Sequence, residues 1–120
     1  MSLHVLLIED EPNIAEAMRF IMTREGWRVS HLAEGTGALE SLRSDRPDLL
    51  ILDHMLPGLS GLEILAAVRA DPAMRDLPVI MLTARGRDRD LAERAGADRF
   101  ISKPFSNAEI LAEVRALMAR

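Results

Sequence analysis

The apolar residues of this chain fall into five short runs that end abruptly at polar residues. The clearest run is Leu49–Leu52, four large apolar residues in succession with Pro47 before it and Pro57 after it. Runs of this length between turn residues are typical of strands buried on both faces of a sheet. The pattern predicts five strands: His4–Ile8, Arg28–Ala33, Leu49–Asp53, Val79–Leu82 and Arg99–Ser102.

Between the strands, apolar residues recur at the spacing of a helix face. Two helices carry a strong start signal, a capping box, at Ser60–Glu63 and at Ser106–Glu109. The predicted helices run from Pro12 to Gly26, from Gly35 through Leu42, from Ser60 to just before Pro72, over Leu91–Ala95, and from Ser106 through Met118.

Strands that alternate with helices form a parallel sheet, and right-handed crossovers place helices on both of its faces. The 120 residues suffice for one domain with a sizeable core. The predicted fold is therefore a three-layer, doubly wound (βα)5 α/β domain with a five-stranded parallel sheet, spanning residues 1–120.

The carboxyl ends of parallel strands lie at one edge of the sheet, where such folds bind their ligands. This edge is predicted to gather the residues that end four of the strands, namely Glu9, Asp10, Asp53, Thr83 and Lys103. Each of them alone is equally well explained as a residue that leaves a strand. Their convergence favours a functional site.

Composition narrows the chemistry of that site. The chain has no cysteine, which excludes disulfides and thiolate metal ligands and is consistent with a cytoplasmic protein. A formal charge of −4 argues against nucleic-acid binding by the surface as a whole, and no apolar run is long enough to span a membrane. Fourteen of the fifteen basic residues are arginines, so the single lysine, Lys103, suggests a site that tolerates only a compact charge.

Three carboxylates at one edge repel one another unless a cation compensates them. At about 4 Å, each pair costs around 4 kcal/mol with an effective dielectric near 20. Lys103 is one possible compensation and a divalent ion is another. Ligand sets made only of oxygen favour Mg²⁺. A carboxylate beside Mg²⁺, an ammonium and a hydroxyl is suited to accept a phosphoryl group.

These residues resemble a known family over essentially the whole chain. The motifs are Glu9-Asp10, Asp53 with Met55–Gly58, Thr83-Ala84 and Lys103–Phe105, and together they resemble the receiver domain of two-component response regulators. The resemblance implies a flavodoxin-like fold with strand order 2-1-3-4-5. Glu9 stands where the family often has a second Asp, Phe100 replaces a frequent Tyr, and the segment from Thr83 to Lys103 is shorter than usual by about half a helical turn.

The resemblance also implies a role for each residue. Asp53 is expected to be the phosphoacceptor, with Mg²⁺ held by Glu9, Asp10, Asp53 and the backbone carbonyl of Met55. Thr83 and Lys103 are expected to contact the phosphoryl oxygens. Thr83 and Phe100 are expected to switch together and to change the surface around the fourth helix, fifth strand and fifth helix.

The partners follow from the same resemblance. A sensor histidine kinase or a histidine phosphotransfer protein is the expected donor, and a downstream target protein is the expected receiver of the signal. The domain is expected to be a monomer or a phosphorylation-dependent dimer, with no direct contact to nucleic acid or membrane, and to be no enzyme beyond its own phosphoryl transfer and slow hydrolysis. It is expected either to act alone or to be the receiver part of a larger regulator.

Three other functions remain open at this point. A flavin or nucleotide carrier on the same fold needs a phosphate-binding loop after the first strand, where Glu9–Glu11 would repel phosphate. A phosphohydrolase of the haloacid dehalogenase type needs a second Asp at the position of Met55. A degenerate receiver that signals without phosphorylation is the third alternative, and the intact set of site residues argues against it. The Arg85, Arg87 and Arg89 cluster, interleaved with Asp88 and Asp90, is interpreted as a solvated helix start with local ion pairs.

Overall fold

The computed structural model describes the backbone of residues 3–83 and 86–119, and the side chains of residues 3–83 and 90–119. Strands and helices alternate along this part of the chain, as the sequence predicts. The elements are β1 (His4–Ile8), α1 (Pro12–Arg24), β2 (Arg28–Leu32), α2 (Ala38–Asp45), β3 (Leu49–Asp53), α3 (Gly61–Ala70), β4 (Val79–Thr83), α4 (Gly86–Ala95), β5 (Arg99–Ser102) and α5 (Asn107–Met118).

The strands form one parallel sheet in the order β2-β1-β3-β4-β5. Successive residues of a strand point to opposite faces of the sheet, so the three inner strands supply two separate cores. One core packs against α1 and α5 and the other against α2, α3 and α4. The three-layer, doubly wound architecture and the strand order are therefore confirmed.

The central strands are buried on both faces because they lack charged residues before their last position. All five residues of β1, β3 and β4 are buried, whereas β2 and β5 at the edges of the sheet are mostly half-exposed. Both predicted capping boxes are present. Ser60 accepts a hydrogen bond from the Glu63 N–H at 3.3 Å, and Ser106 accepts one from the Glu109 N–H at 3.1 Å.

Two helix starts differ from the prediction. The fourth helix begins at Gly86 and not near Leu91, and α2 begins at Ala38 and not at Gly35. Along the described part of α4, Ala92 is the one fully buried side chain, so the segment lacks the apolar periodicity by which a helix is recognised.

Ala84 and the predicted cluster from Arg85 to Arg89 lie outside the described side chains, so the ion pairs of that cluster stay a prediction. No helix in the described ranges is both long enough and apolar enough to cross a membrane.

Candidate functional site

The register of the sheet brings the predicted site residues to one edge. Ile8 pairs with Leu52, so Glu9 and Asp53 leave adjacent strands side by side. Asp53 pairs with Leu82, which puts Thr83 one step beyond it on β4, and the Lys103 N–H donates to the Thr83 carbonyl at 2.7 Å. Three strands and the segment that follows β5 thus supply the charged and hydroxyl groups of the site.

Lys103 is the centre of the charged cluster. Its Nζ donates a hydrogen bond of 2.8 Å to Asp53 Oδ2 and forms an ion pair of 2.8 Å with Glu9 Oε1. A third carboxylate, Glu11, lies further away, with 3.9 Å between its Oε1 and the ammonium. One cation is therefore shared among three acidic side chains, and the two closest of these are buried.

The two buried carboxylates differ in how their oxygens are satisfied. The second oxygen of Asp53 accepts a hydrogen bond of 3.2 Å from the Met55 N–H, and Glu9 Oε2 accepts one of 3.2 Å from the Glu11 N–H. Glu9 Oε1 has its ion pair with Lys103 but accepts no hydrogen bond of normal geometry from any described residue. The negative charge of the Glu9 carboxylate is therefore less fully compensated than that of Asp53.

The electrostatics of the cluster follow from this arrangement. The pKa of Glu9 is raised to about 7. Burial is the largest cause, the neighbouring Asp53 adds to the rise, and Lys103 and the Glu11 N–H oppose it. Burial alone would lower the pKa of Lys103, but the hydrogen bonds and charges of Asp53 and Glu9 outweigh it and raise that pKa above its usual value. The site therefore holds more negative charge than its own ammonium can balance at neutral pH.

The arrangement fits a divalent cation. Carboxylate oxygens of Glu9, Asp10 and Asp53 lie within 4.8 Å of one another, and Asp10 is exposed while the other two are buried. Ligand atoms that are all oxygen, together with uncompensated negative charge, suit a hard ion such as Mg²⁺. The Met55 backbone lies beside this cluster through its hydrogen bond to Asp53, whereas its side chain is 67% exposed.

Thr83 and Phe100 complete the predicted set. Thr83 is 1% exposed, and its hydroxyl has no hydrogen-bond partner among the described residues. A buried hydroxyl without a partner is costly unless it serves a ligand. Phe100 on β5 is half-buried against the core that faces α3 and α4, one residue before Ile101 on the opposite face.

The family of the chain follows from its similarity to known proteins. The model of the response regulator receiver domain matches residues 5–115, which is nearly the whole chain. The chain belongs to this family. Receiver domains are signalling modules of two-component systems, and phosphorylation on an aspartate is a general property of the family. The nucleotide-carrier and phosphohydrolase alternatives are thereby set aside.

Individual relatives of this receiver domain agree with the assignment. The transcriptional regulatory protein CseB of Streptomyces coelicolor is 42% identical over 119 residues, which cover 98% of this chain and 50% of that protein. A putative response regulator from Chloroflexus aurantiacus has a similar structure, with a TM-score of 0.95, 32% identity and full coverage of both chains. This receiver domain spans about half the length of the curated relatives it matches.

A second structural neighbour bears on the metal. The receiver domain of sensor histidine kinase PA1611 from Pseudomonas aeruginosa matches with a TM-score of 0.91, 30% identity and full coverage of both chains. That structure holds a magnesium ion coordinated in its active-site cleft. Receiver domains therefore occur in relatives of two kinds, transcriptional regulators and sensor kinases.

Two residues near the site were not assigned a role from the sequence. Glu11 contacts both Lys103 and, through its N–H, Glu9, and its place in the acidic run Glu9–Glu11 is a signal that could have indicated this. His31 on β2 approaches the Glu9 carbonyl with its Nε2 at 2.8 Å. No sequence signal points to His31, because the contact depends on the pairing of β1 with β2.

Proposed function

We propose that this receiver domain accepts a phosphoryl group on Asp53 from a phosphohistidine of a sensor histidine kinase or a histidine phosphotransfer protein. One observation carries the proposal. Asp53 is a buried carboxylate held at 2.8 Å by the only lysine of the chain, inside a group of acidic oxygens that a single cation could share. The relatives support an aspartate as acceptor, and Asp53 is the one that combines these contacts.

The chain's own residues account for the transfer. An oxygen of Asp53 attacks phosphorus in line, the O–P bond forms, and the bond from phosphorus to the donor nitrogen breaks as the electron pair returns to the imidazole. Lys103 and the Thr83 hydroxyl supply the positive charge and the hydrogen bond that the incoming oxygens need. The Met55 N–H keeps the acceptor carboxylate oriented through Oδ1.

Mg²⁺ is the proposed cofactor, held by Glu9, Asp10, Asp53 and the backbone carbonyl of Met55. When bound, the ion neutralises charge that develops on the transferring oxygens. Because it also offsets the repulsion between Glu9 and Asp53, we expect it to bind the folded state and to stabilise the domain by an amount that grows with the logarithm of the Mg²⁺ concentration.

The signal is proposed to leave the site through Thr83 and Phe100. Once the Thr83 hydroxyl turns to the phosphoryl group, Phe100 moves further inward, and the surface of α4, β5 and α5 changes for a downstream target protein. The domain is proposed to be cytoplasmic and to catalyse only its own phosphoryl transfer and slow hydrolysis. It acts alone or as the receiver part of a longer regulator, and as a monomer or a phosphorylation-dependent dimer.

The test is intact mass spectrometry after incubation with acetyl phosphate and Mg²⁺. We expect a gain of one phosphoryl group in the natural sequence and no gain in Asp53→Ala or in the presence of a chelator. Asp48→Ala is a matched control because Asp48 lies at the opposite end of β3, where its carboxylate accepts the His4 N–H at 2.8 Å. A phosphoryl group that persists in Asp53→Ala would contradict the proposal.

A further inference from the structure

The loop between β3 and α3, residues 54–60, is held against another loop by a buried glycine. Gly35 lies between β2 and α2, and its N–H donates to the Pro57 carbonyl at 3.1 Å. A Cβ built on Gly35 would overlap the carbonyl oxygen of Leu59 and stand 2.7 Å from the carbonyl carbon. The two backbones are therefore as close as a residue without a side chain allows.

The same loop is fixed a second time at its end. Gly61, the first residue of α3, donates its N–H to the His54 carbonyl at 3.2 Å. A Cβ at Gly61 would overlap the Asp53 carbonyl oxygen and lie 2.9 Å from the Cα of His54. Both glycines contact main-chain atoms, so no change of rotamer in a neighbour could make room for a methyl group.

Met55 lies between these two fixed points. Its side chain is exposed and its N–H bonds to Asp53, so the position of its peptide groups depends on the backbone of the loop. A shift of the loop away from Gly35 would move the Met55 carbonyl relative to the carboxylates of Glu9 and Asp53. The backbone contact at Gly35 thus restrains the loop that carries the Met55 carbonyl.

We infer that Gly35 is a positioning residue for the metal site, acting through the β3–α3 loop on the Met55 carbonyl. This inference rests on the proposed function, in which that carbonyl is a Mg²⁺ ligand. Gly35 itself contacts neither the carboxylates nor Lys103 among the described contacts, and its effect is carried by Pro57 and Leu59.

The chain offers a matched pair of substitutions in one loop. Gly35 has no positive φ, so Gly35→Ala introduces a steric conflict without backbone strain. Gly37 has a φ of +84° but nothing within 4 Å of a built Cβ, so Gly37→Ala introduces strain without a conflict. Isothermal titration calorimetry with Mg²⁺ gives the affinity of each variant, and thermal unfolding in chelator gives its stability.

We expect Gly35→Ala to weaken Mg²⁺ binding about ten- to hundredfold, the range found when groups that support metal ligands are changed. Gly37→Ala is expected to lower the unfolding temperature in chelator and to keep the Mg²⁺ affinity of the natural sequence. If the folded Gly35→Ala variant binds Mg²⁺ with the affinity of the natural sequence, the inference is overturned but the proposed metal site is not. Absence of Mg²⁺ binding in the natural sequence would overturn the proposed metal site and the inference together.

A second variant covers the case in which Gly35→Ala does not fold. A Cβ on Gly58 would overlap the Thr36 hydroxyl, and its next neighbours lie at 3.4 Å or more, so Gly58→Ala separates the same two loops against the end of a side chain. We expect weaker Mg²⁺ binding in Gly58→Ala and recovery in the double variant with Thr36→Ala. Unchanged Mg²⁺ affinity in a folded Gly58→Ala variant would overturn the inference, because separating the two loops would then leave the metal site intact.

Discussion

Polar groups at the two edges of the sheet differ in how fully their hydrogen bonds and charges are satisfied. At the amino edge, Arg69 donates to the carbonyls of Gly96, Arg75 and Leu77 at 2.7–2.9 Å and to Asp98 Oδ2 at 3.0 Å, and Asp98 also accepts the Val79 N–H. At the carboxyl edge, one ammonium serves two buried carboxylates, and a buried hydroxyl has no partner among the described residues.

The difference shows that the amino edge stabilises the folded domain, whereas the carboxyl edge lowers its stability when no cation is bound. The amino edge connects α3, the segment before β4, the end of α4 and the start of β5 through one guanidinium. The carboxyl edge keeps like charges together that an added cation would balance, and it buries a hydroxyl that a phosphoryl oxygen would satisfy. Conflicts of this kind are expected at functional sites and not elsewhere in a fold.

The largest effect is expected from Lys103→Met at pH 8 without metal. Removing one partner of a buried ion pair leaves the other charge uncompensated, and we expect a loss of about 4 kcal/mol in the free energy of unfolding. At pH 6 the loss becomes smaller because Glu9, whose pKa is already raised to about 7, takes up a proton. Urea unfolding followed by circular dichroism measures the loss in the free energy of unfolding at pH 8 and at pH 6.

The same unfolding measurement in saturating Mg²⁺ tests the cause of the loss. If the loss in Lys103→Met comes from repulsion, the ion recovers a large part of it at pH 8. Equal losses at both pH values and with or without Mg²⁺ would instead mean that Lys103 contributes only the packing of its methylene groups.

Arg69→Ala is expected to cost about 3 kcal/mol. A hydrogen bond to a charged group contributes about 1.5–3 kcal/mol, and the four bonds made by this one guanidinium, which is 22% exposed, do not add. In contrast to Lys103→Met, the loss is the same with and without Mg²⁺ and at pH 6 and pH 8. Chemical unfolding under these four conditions checks the contrast. A loss that Mg²⁺ reduces would show that the two edges are coupled.

Glu9→Gln is expected to stabilise the metal-free domain by about 3 kcal/mol at pH 8. The pKa of Glu9 is raised from its usual 4.5 to about 7, so the folded state binds more protons than the unfolded state between these values. The contribution of Glu9 to stability is therefore fully present below about pH 4.5 and is lost as the pH rises through about 7, and the variant lacks this loss. Thermal unfolding from pH 5 to pH 8 measures the difference.

The sign of the Glu9→Gln effect reverses when Mg²⁺ is present. The amide offers no charge to the ion, so at pH 8 and saturating Mg²⁺ the natural sequence becomes the more stable of the two. A variant that is less stable than the natural sequence in chelator at pH 8 would contradict the description of Glu9 as a poorly compensated acid.

The smallest effects are expected at the two helix caps. Ser60→Ala and Ser106→Ala each remove a hydrogen bond to the N3 amide and should cost about 1 kcal/mol. Both caps lie at the carboxyl edge, yet each is satisfied within its own helix start. We therefore expect neither loss to depend on pH between 6 and 8, which thermal unfolding can check.

Much of the fold could be predicted because it depends on local patterns. Buried strands such as Leu49–Asp53 appear as apolar runs. The capping boxes that begin at Ser60 and Ser106 are each recognisable from four consecutive residues. The start of α4 at Gly86 was missed because its described part buries Ala92 almost alone and contacts solvent with its charged residues. Such a helix is fixed by its neighbours and not by its own periodicity.

The residues of the candidate site could be predicted by type and place, and their roles stay predictions. Alternation of strands and helices is enough to bring Glu9, Asp53 and Lys103 to one edge. The sequence does not contain the distances that decide which carboxylate the ammonium satisfies, and it gives no sign that Gly35 lies against Leu59. Contacts between separate loops depend on tertiary packing, which a local pattern does not record.

The position of Lys103 in the chain has a consequence for the order in which the domain folds. Asp53 precedes its ammonium partner by fifty residues, and that partner follows the last strand. A growing chain therefore presents Glu9 and Asp53 well before Lys103 has been synthesised. Docking of β5 completes the sheet and brings this one ammonium to the site in a single step, so the last strand to be synthesised completes the core and partly offsets the charge of the site together.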